Sequence, residues 1–181
     1  MAFADDGNLI NRFKGGDVSG FEELVRKYQD RIYNLCRYMI QDAHEAQDAA
    51  QDVFLKAYRN LNAFKPDSSL YTWLYRIAVN TCLDYKKKSR PEQAEDESAI
   101  DDLASAESSP EQRYQSKEIG QAIRMALQKL PEHLRAAIIL KEIEDLSYEE
   151  IAEVLHTSLG TVKSRISRAR EDLRQLLQKK V

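Results

Sequence analysis

Apolar residues recur along this chain at steps of three and four, and no segment alternates apolar with polar positions, so the pattern predicts helices throughout and no sheet. Phe21, Leu24, Val25, Tyr28, Ile32, Leu35, Cys36 and Met39 form one long stripe, and Ser19 with Glu22 reads as a capping box ahead of it. A second start signal, Asp42 with Glu45, precedes the stripe Ala46, Ala49, Ala50, Val53, Phe54, Ala57 and Leu61. A third helix is predicted from about Leu70 to Lys88, with Leu70, Trp73, Leu74, Ile77, Thr81, Cys82 and Tyr85 turned inward. A shorter one around Asn8 to Lys14, closed by Gly15 and Gly16, comes before all three. Pro66 and its small polar neighbours make Asn62 to Ser69 a loop. Past Pro110 the helical period returns through Ile119, Ala122, Ile123, Ala126, Leu127 and Leu130, halts at Pro131, and resumes through Leu134, Ile138 and Ile143.

The C-terminal segment carries the most specific pattern. Ser147 caps a helix and Glu150, three residues on, can reach back to its N–H, while Ile151, Ala152 and Leu155 bury one face. Thr157 is the expected cap of a second helix, which Val162, Ile166, Ala169 and Leu173 pack against the first. Its opposite side carries Lys163, Ser164, Ser167 and Arg168. This is the pattern of a helix-turn-helix, whose second helix enters the major groove so that Arg and Lys meet guanine edges and phosphates. His156 stands at the turn, where φ > 0 is required; His tolerates that conformation better than most residues.

A chain of 181 residues with 43% hydrophobic content can bury one ordinary core or two small ones. The pattern favours an all-α chain of two small helical domains, 1–91 and 112–181, joined by a segment at 92–111. The formal charge of −3 argues at first against a nucleic-acid partner, whose affinity comes from Lys and Arg displacing counterions. However, the stretch Glu92 to Glu111 holds eight acids and no Lys or Arg, so the rest of the chain sums to +5. Arg90 to Ser109 has little to bury and is expected to be a mobile acidic linker, reaching about 65 Å at full extension. Cys36 and Cys82 lack metal spacing and fall on apolar helix faces, and His44, His133 and His156 give no metal signal either. No cofactor site, paired carboxylates, nucleophile with its base or phosphate-cradling Gly loop is found, so the chain is expected not to be an enzyme. With no secretion signal, and Ala136 to Leu140 as its longest apolar run, the chain is expected to be cytoplasmic without stable membrane insertion.

A helix-turn-helix fits many regulators, and the first domain narrows the choice. Asp48-Ala49-Ala50-Gln51-Asp52-Val53-Phe54-Leu55-Lys56-Ala57-Tyr58, followed by Leu70-Tyr71-Thr72-Trp73-Leu74-Tyr75-Arg76-Ile77-Ala78-Val79-Asn80, resembles the core-binding and promoter-melting region of bacterial sigma-70-type sigma factors. With Leu130-Pro131-Glu132-His133-Leu134-Arg135 and the terminal helix-turn-helix, the resemblance covers nearly the whole chain. The compact two-domain layout is similar to the extracytoplasmic-function group. The resemblance implies a monomer when free and a non-catalytic initiation subunit that joins core RNA polymerase through the β′ clamp helices and the β flap. It also implies binding of promoter DNA, duplex and single-stranded, and an anti-sigma protein as partner.

By the same resemblance, Asp48, Gln51, Asp52, Lys56 and Arg59 form the docking face for the β′ clamp helices. Phe64 belongs to the pocket for a flipped minus-10 base, with Lys65, Ser68 and Ser69 as polar neighbours. Tyr71, Trp73, Tyr75, Arg76 and Asn80 supply the aromatic and basic mixture that unpaired DNA favours. Trp73 lies on the apolar stripe and reads equally as core, whereas Tyr71, Tyr75, Arg76 and Asn80 lie off it. Lys86, Lys87, Lys88 and Arg90 read equally as phosphate contacts or as a solvated tail. Gly160, Thr161, Lys163, Ser164, Ser167 and Arg168 match the minus-35 readers, with Tyr148 and Glu149 from the preceding helix. Arg165 and Arg170 are expected to pair with acids or to cover the apolar seam. The acidic linker reads either as a nucleic-acid mimic in the polymerase RNA path or as a solubilising tether. A duplex-operator regulator would account for the C-terminal motif but would leave the aromatic third helix and the Phe64 loop without a purpose.

Overall fold

The computed structural model describes residues 5–65, 69–88 and 110–178. Its elements are α1 (Asp6–Lys14), α2 (Ser19–Met39), α3 (Ala43–Asn60), a 3-10 turn (Leu61–Ala63), α4 (Leu70–Lys88), α5 (Pro110–Lys129), α6 (Glu132–Glu142), α7 (Tyr148–Val154) and α8 (Leu159–Gln178). The described residues include no strand, as the period of the apolar positions predicts. The expected linker lies outside the described residues up to residue 109, as do Arg90, Pro66, Asp67 and Ser68, but its last two positions, Pro110 and Glu111, open α5 instead.

Helix starts follow the capping chemistry, with two corrections. Asp42 accepts the Glu45 N–H at 2.7 Å to open α3, as expected. The expected Ser19–Glu22 box is absent; Asp17 holds the Ser19 N–H at 3.0 Å and the Ser19 hydroxyl at 2.5 Å instead. An aspartate two residues before the helix is a stronger acceptor than a hydroxyl, and it leaves Ser19 free to accept from Arg12 Nη2 at 2.6 Å. In the helix-turn-helix both bonds of the Ser147–Glu150 box form, at 2.7 and 3.2 Å. The second correction is one residue long: Ser158, not Thr157, caps α8, its Oγ accepting the Thr161 N–H at 3.1 Å.

Helices α2, α3 and α4 pack on one another, and α1 lies across α2. The approach of α1 to α2 depends on Gly20, because a Cβ there would sit 2.6 Å from the Leu9 carbonyl oxygen. Helices α5 to α8 form the second group, with α6 and α7 against α8. The two groups are packed together rather than apart, α4 against α7 and α2 against both α5 and α6.

Arg135 ties this seam. It is 2% exposed, and its guanidinium donates to the Leu127 carbonyl at 2.7 Å, Gln128 at 2.7 Å and Leu130 at 2.8 Å, to Gln128 Oε1 at 2.9 Å, and to Met39 at 3.0 Å. These carbonyls end α5 and α2, where the peptide dipoles leave negative partial charge, so the cation is neutralised without a bonded carboxylate. Burial lowers its pKa to about 10, which still leaves it charged at neutral pH. The seam also explains the weak amphipathicity of α4. Covered by α2 and α3 on one side and α7 on another, it buries Tyr75, Ala78 and Val79 as well as Leu70, Leu74 and Cys82.

Candidate nucleic-acid interface

The expected helix-turn-helix is present. Ile151, Val154, Val162, Ile166 and Ala169 close its core, and His156 makes the turn at φ 47°. Gly160, Lys163, Ser164, Ser167 and Arg168 are exposed on α8, with Thr161 half-buried beside them. Ser164 Oγ donates to the Thr161 carbonyl at 2.9 Å. Glu149 is exposed and Tyr148 half-buried, with the Lys141 ammonium 5.6 Å from its ring centre. Arg170 does pair with an acid: it reaches Glu142 Oε1 at 2.6 Å and pins α8 to α6. The first half of α8 thus presents hydroxyls and cations to solvent, with its other face held by the core.

In the first group of helices, Phe64 follows the 3-10 turn in extended backbone and is 8% exposed. Its ring meets Trp73 edge-on at 5.2 Å, and its carbonyl accepts from Lys14 Nζ at 2.8 Å. Lys65 and Ser69 are exposed, and Ser69 Oγ caps α4 by accepting the Thr72 N–H at 3.0 Å. Trp73 and Ile77, expected inward, are only half-buried and share a strip of α4 with exposed Asn80. Tyr75, expected off the apolar stripe, is 0% exposed. The reason is the second group of helices, a partner surface that the sequence of α4 alone does not reveal.

That surface covers much of the aromatic face. The Tyr71 and Tyr75 rings lie 4.4 Å apart. The Tyr71 hydroxyl donates to the Glu144 carbonyl at 3.0 Å, and the Tyr75 hydroxyl donates to the Glu144 carboxylate. Arg76 pairs with Glu153 at 3.1 Å, leaving its Nε buried and without a partner. Arg31 lies 5.6 Å from the Tyr71 ring centre. Burial, then the charge of Glu144, drives the Tyr75 phenol far above its ordinary range; burial likewise raises the Glu144 carboxyl, against the opposing bond from Tyr75 and the charge of Arg31. Beside these groups an open cleft of about 530 Å³ runs between Lys27, Arg31 and Tyr71 on one side and Asp145 and Glu150 on the other. Lys87 is exposed, and Lys86 Nζ reaches Gln128 Oε1 at 3.5 Å; the side chain of Lys88 lies outside the described residues.

The α3 face divides in two. Asp48, Gln51 and Arg59 are exposed, whereas Asp52 accepts from the Tyr85 hydroxyl at 2.8 Å and Lys56 donates to Thr81 Oγ1 at 3.0 Å, tying α3 to α4. Between the exposed polar residues stands Leu55, 53% exposed. The sequence carries a signal for it, an apolar residue off the stripe of its own helix, although it is absent from the expected docking residues. Among the described residues no cluster of His, Cys, Asp or Glu is arranged to hold a metal, and no helix is long and apolar enough to cross a membrane. Cys36 and Cys82 are buried free thiols whose sulfurs lie 3.5 Å apart, a contact their separation in sequence conceals.

Comparison with known proteins agrees with this geometry. The family model for Sigma-70 region 2 matches residues 24–92, and that for Sigma-70, region 4 matches residues 120–173. The chain is 43% identical over 185 residues to the RNA polymerase sigma-H factor of Pseudomonas aeruginosa, covering 96% of this chain and 94% of that one. It is 38% identical over 176 residues to the ECF RNA polymerase sigma factor SigW of Bacillus subtilis, covering 93% and 94%. In structure it is similar to the sigma factor RpoE of Bartonella quintana, solved in complex with the anti-sigma factor NepR, with a TM-score of 0.67 and 28% identity over 87% of this chain and 96% of that one. With helical regions 2 and 4 in order and relatives matched over nearly their full length, the chain belongs to the sigma-70 family, in its extracytoplasmic-function group of RNA polymerase sigma factors.

Proposed function

We propose that this chain is an alternative sigma factor that binds core RNA polymerase and directs promoter-specific initiation, reading the minus-35 element with α8 and capturing unpaired minus-10 DNA with the Phe64 loop and α4. The observation that carries the reading is the exposed row Lys163, Ser164, Ser167 and Arg168 on the outer face of a helix-turn-helix. It stands in the same chain as a loop whose aromatic residue is braced by Trp73. Gly160 and Thr161 bring the start of α8 to the groove, and Tyr148 and Glu149 add contacts from α7. Flipping a base costs a few kcal/mol, and stacking on an aromatic returns about 1–3 kcal/mol per base. Because Phe64 is nearly buried, its role is to floor a pocket with Trp73; Lys65, Ser68 and Ser69 then meet the base edge and backbone. Asn80 continues the same strip of α4, and Tyr71, Tyr75 and Arg76 join it once the second group of helices moves away.

Core polymerase docks on Asp48, Gln51 and Arg59 around the apolar Leu55, the arrangement of an interface with an apolar centre and polar rim. Asp52 and Lys56 hold that face in register with α4. The β′ clamp helices are the partner there, and the β flap is the partner of the second domain. An anti-sigma protein is a further partner, on the strength of the similar sigma factor solved with one. Catalysis belongs to the polymerase. The test is transcription in vitro with bacterial core polymerase on a library randomised at both promoter elements. Two enriched motifs at a fixed spacing are expected, and products independent of promoter sequence would defeat the proposal.

A further inference from the structure

We infer that Lys14, on a helix outside the matched region 2, is a positioning residue for base capture: its ammonium fixes the Phe64 carbonyl and so sets the entry of the loop that receives the flipped base. The inference rests on the reading of the Phe64 loop proposed above. Lys14 Nζ lies 2.8 Å from that carbonyl, fifty residues along the chain, whereas the region 2 match begins only at residue 24.

The geometry suits an anchor. The 3-10 turn ends where the Phe64 N–H donates to the Leu61 carbonyl at 3.1 Å, and Phe64 itself is extended, with φ −60° and ψ 127°. Its carbonyl is therefore released from helical bonding at the point where the chain leaves the helical core. A charged donor there makes a bond about twice as strong as a neutral one. The base of the anchor is rigid. Arg12 is held by Asp17 at 2.9 Å, Glu23 at 2.8 Å and Ser19 at 2.6 Å, and Asp6 accepts from both Lys27 and Tyr28 at 2.6 Å. Phe13, adjacent to Lys14, packs its ring 5.2 Å from Tyr58 and 5.6 Å from Phe21, joining α1 to α3 and α2. Helix α1 is thus held at both ends, through Asp6 at its start and through Arg12 and Phe13 beside Lys14, and Trp73 holds the Phe64 ring from the other side. With both carbonyl and ring fixed, Phe64 has little ordering left to do when a base arrives.

The test uses holoenzyme reconstituted with core polymerase and a promoter recovered from the library, carrying 2-aminopurine in the non-template minus-10 strand to report unstacking. Lys14→Met should slow unstacking about tenfold, the scale of one hydrogen bond to a charged group, with core affinity unchanged and the circular dichroism melt still a single cooperative transition. Lys14→Arg should restore most of the rate, because it keeps a cationic donor. The salt dependence separates positioning from direct contact: a lost phosphate contact on single-stranded DNA lowers the log–log slope by about 0.7, and the inference expects no change. An unaltered unstacking rate in Lys14→Met alongside a deficient Phe64→Ala would overturn the inference, and so would a slope reduced by that amount. If Phe64→Ala itself captures the base normally, the reading of the loop has failed, a result distinct from failure of Lys14 alone.

Discussion

At the scale of single residues, two arginines of the second domain have opposite surroundings and so opposite expected consequences. Arg168 is exposed on α8. If it meets a base edge in the minus-35 element, Arg168→Ala should weaken initiation by about 1–3 kcal/mol at promoters with that element intact and little elsewhere. An equal loss at every promoter would make it a phosphate contact instead. Arg135 is buried, and five hydrogen bonds depend on it. Arg135→Met should leave the carbonyls that end α5 and α2 without a donor and cost about 3 kcal/mol of stability, read as a lower urea midpoint. Lysine at that position should recover little, since one compact ammonium cannot fork to carbonyls lying on several sides. A midpoint within error of the parent chain would refute this account of the seam.

At the scale of elements, Gly20 offers a substitution whose two effects have opposite signs. Alanine gains about 1 kcal/mol of helix propensity over glycine, yet its Cβ would lie 2.6 Å from the Leu9 carbonyl oxygen and 3.1 Å from Arg12 Cβ. Because the closer obstacle is backbone, α1 must move, and Gly20→Ala should lose about 1–2 kcal/mol net; a raised melting temperature would show that α1 is not held this closely. The contrast between elements also shows what a sequence can and cannot reveal. Helices α2, α3 and α8 have one buried face each, so their stripes and the capping residues Asp42 and Ser147 were legible. Helix α4 is buried on more than one side, which inverted the expectation for Tyr75. The exposed row on α8 was legible because its polar residues lie opposite a continuous helical stripe. The Lys14–Phe64 bond, the Glu144 contacts and the role of Arg135 were not, because each joins residues brought together only by tertiary packing. Ser158 displaced Thr157 as a cap because adjacent hydroxyls carry the same signal, and only backbone geometry chooses between them.

At the scale of the whole molecule, the second group of helices covers the face of α4 proposed to hold unpaired DNA. Tyr71, Tyr75 and Arg76 are bonded to Glu144 and Glu153, so the proposed two-point grip on a promoter would require the halves to separate. The twenty residues from 90 to 109 reach about 65 Å at full extension, enough to allow it. Pairing Glu144→Ala with Glu153→Arg alters only the covering side and places a like charge against Arg76. The free chain should then expand from the roughly 16 Å radius of gyration of a compact body this size, as measured by X-ray scattering. It should also bind a non-template minus-10 oligonucleotide about tenfold more tightly, the scale of one lost charge-assisted bond. Glu144 adds a pH dependence of definite sign. Its carboxyl is raised when the seam is closed and returns to its ordinary range when water reaches it, so the closed form binds the proton more tightly. Closure is therefore favoured as pH falls through the raised value and loses that support as pH rises through it. Glu144→Gln, neutral at every pH, should remove this dependence while keeping an acceptor for Tyr75. Oligonucleotide affinity that is flat with pH in the parent chain, or a double variant that stays compact, would show that the seam does not govern access to α4.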